Sequence, residues 1–444
     1  MHLAHVFIGR FDLPVPLSSV LIAAMAVVGA SFGLIYLLPP KDREDASDPP
    51  GPAVPRVLVV SLQTLMVLGV VYVFAVGTFG NQFYVLNGAV ILFWVLLIPL
   101  LPLAHCIVGG MYEVANPFAL GARLLTAGAS ARKPPDPRLS RLGYWPAVTQ
   151  LFVLVWFELA LRVVPNTPRA LGLLALAYAV FQVGMGAWLG EGWYRGGDVF
   201  SAITALASTI APFAITRDED GFVRLKIGFR PARFLPDGRG RQALITLWLA
   251  GVLADGVRVT PIWKAVTDAT QDVAASMGQV AGVSVGDFIL DTAEIIATWA
   301  AFAAFFWTFA YIAARLIRRP VGEIARVVSP SLIPIALAYL LAHNLTQVLV
   351  DGPLLFATPS SATEVQLMLQ RNAHGLNPAI IFVVQVGAIV LGHVVAVVMA
   401  HARLSRSEDD GRLAIRADLG WLSAMLIYTA TSLWVLAQPI TNQA

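Results

Sequence analysis

Charge is what this sequence has least of. Asp, Glu, Lys and Arg make up 13% of its 444 residues, against about 25% in soluble globular proteins. Hydrophobic residues make up 57%, and the mean hydropathy is +0.73. These values exclude a soluble domain of useful size and describe an integral membrane protein with many spans. Cysteine is nearly absent: Cys106 stands alone. It cannot form an internal disulfide, and its isolation excludes cysteine-built zinc, iron–sulfur and Cys-x-x-Cys redox sites. The chain has no Gly-rich phosphate loop ending in Lys-Ser/Thr, no Gly-x-Ser-x-Gly elbow, no dinucleotide fingerprint and no His-Glu-x-x-His. ATP-driven transport by this chain alone and the ordinary serine-hydrolase design therefore lose their basis. No internal repeat is visible, so an inverted-repeat transporter architecture gains no support. The net charge is +3 with a pI near 9.1. That excess comes from arginines in loops, so it speaks for membrane topology and against a nucleic-acid partner.

What is abundant is long apolar runs. A membrane span needs about 20 such residues. The runs at 17–38, 57–77, 85–107, 145–165, 169–190, 242–258, 288–317, 327–350, 379–401 and 415–436 predict an all-α, polytopic transmembrane bundle of about ten spans in a single domain. The first run lacks a basic flank and is long enough to span, so it reads as a span and not a cleavable signal. With both termini outside, the inside loops collect all but six of the 30 Lys and Arg. The six left outside are Arg10, Arg162, Arg169, Arg258, Lys264 and Arg371. This asymmetry predicts an even span number with both ends outside. Residues 39–56 predict a flexible, charged and Pro-rich cytoplasmic linker. In the cytoplasmic loop 195–241, the stretch VFSAITALASTIAPF predicts a short interfacial or re-entrant helix. The alternation in FVRLKIGF predicts a strand or β-hairpin whose basic side can meet anionic lipid.

Against this background, ionisable residues at span ends carry the functional signal. An Asp, Lys or Arg at a helix centre costs roughly 2.5–3.5 kcal/mol on the insertion scale. Asp287, Asp291 and Glu294 lie on one helical face at the outer end of the seventh run. The sixth run delivers Asp255 to the same side, and the eighth delivers His343 and Asp351. His2, His5, Arg10 and Asp12 in the N-terminal segment, and His374 in a later loop, are also predicted outside. Carboxylates plus imidazoles are the ligand set of a divalent metal site, with His343, Asp291, Glu294 and His5 as candidate ligands. Such a metal activates water or polarises an ester oxygen. Without metal, the same groups relay protons. The bland alternative is that acids at helix ends sit among headgroups or cap helices, which suffices for Asp287.

A second set lies inside: His393 and His401 on the ninth run and His105 at the end of the third. Histidines on different helices are candidate ligands for haem or copper. Alternatively His393 hydrogen-bonds a neighbouring helix while the other two sit at the interface. Gly387 and Gly392 predict close helix packing there. Glu158 and Arg162 form an i, i+4 pair that can neutralise itself in the membrane. In GEGWYRGGDVF, Trp193 and Tyr194 read as interface anchors.

Several blocks resemble one family. AHVFIGRFDLPVP, WYRGGDVFSAITALASTIAPF, ADGVRVTPIW, SLIPIALAYLLAHNLTQVLVDG and QVGAIVLGHVVAVVMAH fall in order over nearly the full length. They are similar to blocks of the bacterial polytopic membrane proteins labelled fenitrothion hydrolase. The resemblance implies a bacterial inner membrane protein that hydrolyses an apolar organophosphorus triester. It implies no catalytic residues. Three readings follow. The first is a membrane-embedded hydrolase acting through Asp291, Glu294 and Asp255, with a divalent metal held by the outer set. The second is an ion-coupled permease using Asp291, Glu294 and His343, with His393 continuing the path inward. The third is a membrane subunit of a redox complex with His393, His105 or His401 near haem, copper or quinone. The expected partners are the lipid bilayer, an apolar small molecule and further membrane subunits.

Overall fold

In the computed structural model the described residues are 17–37, 51–134, 136–161, 167–218, 220–228, 237–280, 283–357, 359–407 and 411–441. They form a helical bundle. Its main helices are α1 (Leu17–Leu37), α2 (Arg56–Phe79), α3 (Gly88–His105), α4 (Trp145–Leu161), α5 (Pro168–Leu189), α6 (Val199–Ser208) and α7 (Arg241–Arg258). They continue with α8 (Pro261–Ser276), α9 (Val285–Ile317), α10 (Val321–Val350), α11 (Ala362–His374), α12 (Pro378–Ser407) and α13 (Gly411–Thr441). Each of the ten apolar runs corresponds to one of these helices. Seven of the helices are long and apolar enough to cross a membrane, or up to eight if the bent pair α7–α8 is one span. In water such faces would be expelled; in lipid they are the solvent-facing surface, and the backbone satisfies its own hydrogen bonds.

The bundle has a core and a flank. In the core, α7 packs against α9 and α10, α10 against α12, and α13 against α9 and α12; α1 covers α12 and α13. On the flank, α2 packs against α5, while α4 packs directly against α7 and α9, α3 reaches α10, and α6 lies against α3, α4 and α10. The stretch expected to be an interfacial or re-entrant helix is α6, and it is buried within the bundle along most of its length. Its apolar residues fill a protein interior.

Packing of α10 on α12 is closest at Gly392. A Cβ there would stand 2.4 Å from the Ala338 Cβ and 2.8 Å from the Pro334 carbonyl oxygen. Gly387, expected to do the same, has open space at that position. Overpacking a tight contact costs about 1–3 kcal/mol. Gly392→Ala is therefore expected to lower the unfolding free energy in detergent by that amount. Gly387→Ala is expected to raise it by about 0.5–1 kcal/mol through helix propensity. Equal stability of the two variants would show that the helices do not approach closely at Gly392.

A small sheet sits beside the bundle. Strands β1 (Val108–Gly109) and β2 (Phe213–Arg217) run parallel, and β2 pairs antiparallel with β3 (Val223–Ile227), Ile215 opposite Leu225. This is the expected hairpin. Two details differ from expectation. Part of the linker is ordered: Val54 N–H donates to the Val223 carbonyl at 2.7 Å and Leu225 N–H to that of Pro52 at 3.0 Å. And Arg224, expected to face lipid headgroups, is held by Asp218 at 2.6 Å.

Candidate functional site

The acid–base groups meet because α7 lies between α9 and α10. Helix α7 stops after Arg258, since Pro261 has no N–H to continue the ladder. The chain turns by 67° and restarts as α8, where Thr260 Oγ1 accepts from the Trp263 N–H. The last turn of α7 carries Asp255 and Arg258 at i, i+3, on one face. Asp255 Oδ2 lies 3.0 Å from His343 Nε2 on α10. Arg258 turns toward α9, with Nη2 3.1 Å from Glu294 Oε2 and 3.4 Å from Asp291 Oδ1. Its Nη1 donates to the Leu159 carbonyl at 2.9 Å, in a π-helical turn that closes α4. Widened turns of this kind are frequent at functional sites.

Burial differs sharply within this group. Glu294 is fully buried and Asp291 nearly so. Glu294 Oε1 has no hydrogen-bond partner among the described residues. Asp255 and His343 are each about a quarter exposed, at 24% and 25%. The Asp255 contact accounts for His343 Nε2, and Nδ1 has no protein partner among the described residues. The Tyr339 ring, one turn earlier on α10, stacks on the imidazole at 6.0 Å with planes 11° apart. Glu158, in the π-helical turn, is exposed and lies within electrostatic reach of Asp255, His343 and Arg258. Four carboxylates thus face one guanidinium and one imidazole among the described residues.

The expected divalent metal set is not assembled. Among the described residues no three of His, Cys, Asp and Glu stand close enough to hold a metal ion. The cation beside Asp291 and Glu294 is the protein's own Arg258, and His343 is engaged by Asp255. A second cation against that guanidinium is electrostatically disfavoured, so these residues do not fit the metal. His5, with the rest of the N-terminal segment, lies outside the described residues. So does Arg162, the expected partner of Glu158. Asp287 is exposed at the start of α9, where its N–H donates to Ser284 Oγ at 3.3 Å. Asp351 is buried apart from the cluster, and neither carboxylate oxygen has a hydrogen-bond partner.

The inner histidines are not brought together as ligands either. His105 uses both ring nitrogens: Nδ1 donates to the Leu101 carbonyl at 2.7 Å, and Nε2 accepts the Tyr112 N–H at 2.8 Å. That leaves no lone pair for haem or copper. His393 is deep in the bundle, with Nδ1 2.8 Å from the Ile389 carbonyl. His401 lies two turns further along α12, beside Ser405.

Residue-level reading missed Arg258 and Glu158 as members of the site. Arg258 had a signal, its i, i+3 spacing from Asp255. It also missed the role of Asp198. This carboxylate caps α6 through the Phe200 N–H at 3.1 Å and accepts from Tyr178 at 2.5 Å, Ser201 at 2.7 Å and Asn116 at 3.1 Å. Burial pushes its carboxyl up, while these hydrogen bonds pull it down. It ties α5, α6 and the 116 turn together. Trp193 and Tyr194 join the same interior: Trp193 Nε1 donates to Gln182 Oε1 at 2.7 Å. They are buried in protein, not placed as interface anchors.

Fold and composition define a multi-pass helical membrane protein. Comparison with family models, with curated proteins and with solved structures gives no match.

Proposed function

We propose that this protein is a membrane-embedded hydrolase of apolar esters, of the organophosphorus triester class. The observation that carries the reading is the Asp255–His343 pair, which leaves His343 Nδ1 without a partner among the described residues in a quarter-exposed position. Donation of Nε2–H to Asp255 sets the tautomer, so Nδ1 presents a lone pair. In this reading His343 takes one proton from a water as the water oxygen attacks phosphorus. The bond to the aryloxy leaving group breaks, and the proton returns to that oxygen through His343 or Glu158. The substrate partitions into the bilayer and reaches the site laterally. The sequence resemblance supports the same chemistry. The test is release of nitrophenol from a nitrophenyl phosphotriester by the purified protein in liposomes. No turnover above that of empty liposomes would sink the reading.

A second reading, ion-coupled transport, is favoured by one specific observation: Arg258 is clamped between two buried carboxylates beside the Asp–His pair. Protonation of either carboxylate would loosen that clamp, which is the kind of bistable element a coupled carrier needs.

We also propose that α1–α5, α7, α9, α10, α12 and α13 are ten crossings of the bacterial inner membrane with both ends outside. The basic-loop asymmetry supports this. Because Cys106 is the only cysteine, a Cys106→Ser background makes topology mapping direct. Cysteines placed in 41–50 and in 408–410 are expected to resist an impermeant thiol reagent in intact spheroplasts and to react after lysis. Labelling of either in intact spheroplasts overturns the orientation.

A further inference from the structure

Three polar atoms deep in the core lack hydrogen-bond partners among the described residues: Tyr339 Oη on α10, Tyr428 Oη on α13 and His393 Nε2 on α12. Their residues are 2%, 4% and 0% exposed. An orphaned buried polar group costs about 1–3 kcal/mol, so three neighbouring ones are not an ordinary core. The three residues form a line. Tyr339 stacks on His343 at the acid–base cluster. The two phenols lie within electrostatic reach of one another. The Tyr428 ring is 5.5 Å from the His393 ring. His393 donates from Nδ1 to the Ile389 carbonyl, so its neutral Nε2 is an acceptor. Two unpartnered donors and an unpartnered acceptor on adjacent rings are groups that water bridges in protein interiors. Gly256 faces the same place: a Cβ there would stand 2.9 Å from Tyr339 Oη.

We propose that Tyr339, Tyr428 and His393 line an internal chain of water molecules that carries protons from the Asp255–His343 pair past His393 toward His401, two turns further along α12. Each step is a hop. One hydroxyl or water accepts a proton on a lone pair and releases another to its neighbour, so no atom or electron is gained or lost. Asp255 from α7 lies within electrostatic reach of Tyr339, and Arg258 from α7, Glu158 from α4, and Asp291 and Glu294 from α9 surround that end of the line. His343 and the two tyrosines complete it. Glu323 and Arg326 stand at the other end of α10, and His401 stands two turns beyond His393 on α12. The proposal does not rest on ester hydrolysis, and its test contains no ester.

Two measurements on the full-length protein decide it. In radiolytic hydroxyl footprinting, Tyr339 and Tyr428 are expected to be modified at least tenfold faster than Tyr112. Tyr112 is equally buried, at 4% exposure, and its phenol lies against Asp198. Equal rates mean a dry core and overturn the proposal, with no variant required. In liposomes with an entrapped pH dye and potassium–valinomycin clamping the potential, wild type is expected to dissipate a pH gradient. Tyr428→Phe and His393→Gln are each expected to slow it tenfold or more. Wild-type flux no greater than empty liposomes, or variant flux equal to wild type, overturns the proton path.

Discussion

Replacing Arg258 with methionine is expected to destabilise the protein by about 3–5 kcal/mol, the cost of stripping a buried pair of one partner. The argument starts from burial. Glu294 is fully buried, and among the described residues Arg258 supplies its one hydrogen bond, at 3.1 Å. Asp291 lies 3.4 Å from the same Nη2. Methionine has similar volume and suits an apolar interior, so packing survives and charge compensation does not. The Leu159 carbonyl also loses the donor that binds the end of α4 to α7. Equilibrium unfolding in mild detergent measures the loss. A companion variant isolates its cause: Asp291→Asn with Glu294→Gln in the Arg258→Met background removes the uncompensated charge and is expected to recover most of it. A single variant as stable as wild type would show that the ion pair does not hold α7 to α9.

The second large effect concerns rate. Asp255→Asn and His343→Gln are each expected to lower phosphotriester turnover by about 10²–10⁴-fold, the range general acid–base groups contribute. An amide at 255 can present its NH₂ to His343 Nε2 and favour the other tautomer, which places the proton on Nδ1 and removes the base. Because the substrate is held by apolar surface and lipid, KM is expected to change little while kcat falls. Both residues are part-exposed, so folded yield is expected to stay near wild type, in contrast with Arg258→Met. A rate within threefold of wild type in Asp255→Asn would refute the orienting role of the carboxylate. Insensitivity of the wild-type rate to chelators is expected from the same geometry, since Arg258 occupies the place of a cation.

Much of the architecture was legible in one dimension. Each apolar run became a helix, because a span needs only a length and a composition, and both are local properties. The outlier length of α9, 33 residues, was visible as an overlong run. The hairpin 213–227 showed through its period of two. Helix α8 was not legible, because its start depends on a cap and a proline after a span, which read equally as a loop. The burial of α6 was missed for a different reason: a short apolar helix looks the same at a membrane surface and inside a protein.

For the site, the sequence by itself determined which side chains arrive at one end of the bundle. Asp291 and Glu294 share a face by helical geometry, and Asp255 and His343 sit near the ends of their runs. It could not determine who pairs with whom. Asp255, Asp291 and Glu294 are equivalent carboxylates in a linear reading, and Arg258 is one basic residue among several. The packing of α7 between α9 and α10 separated them: one carboxylate went to an imidazole and two to a guanidinium. Pairing depends on helix rotation and crossing, which are decided by side chains far from the charges, such as the contact at Gly392. Composition therefore settled that charge must cluster in this protein, and only tertiary packing decided that the cluster carries its own cation.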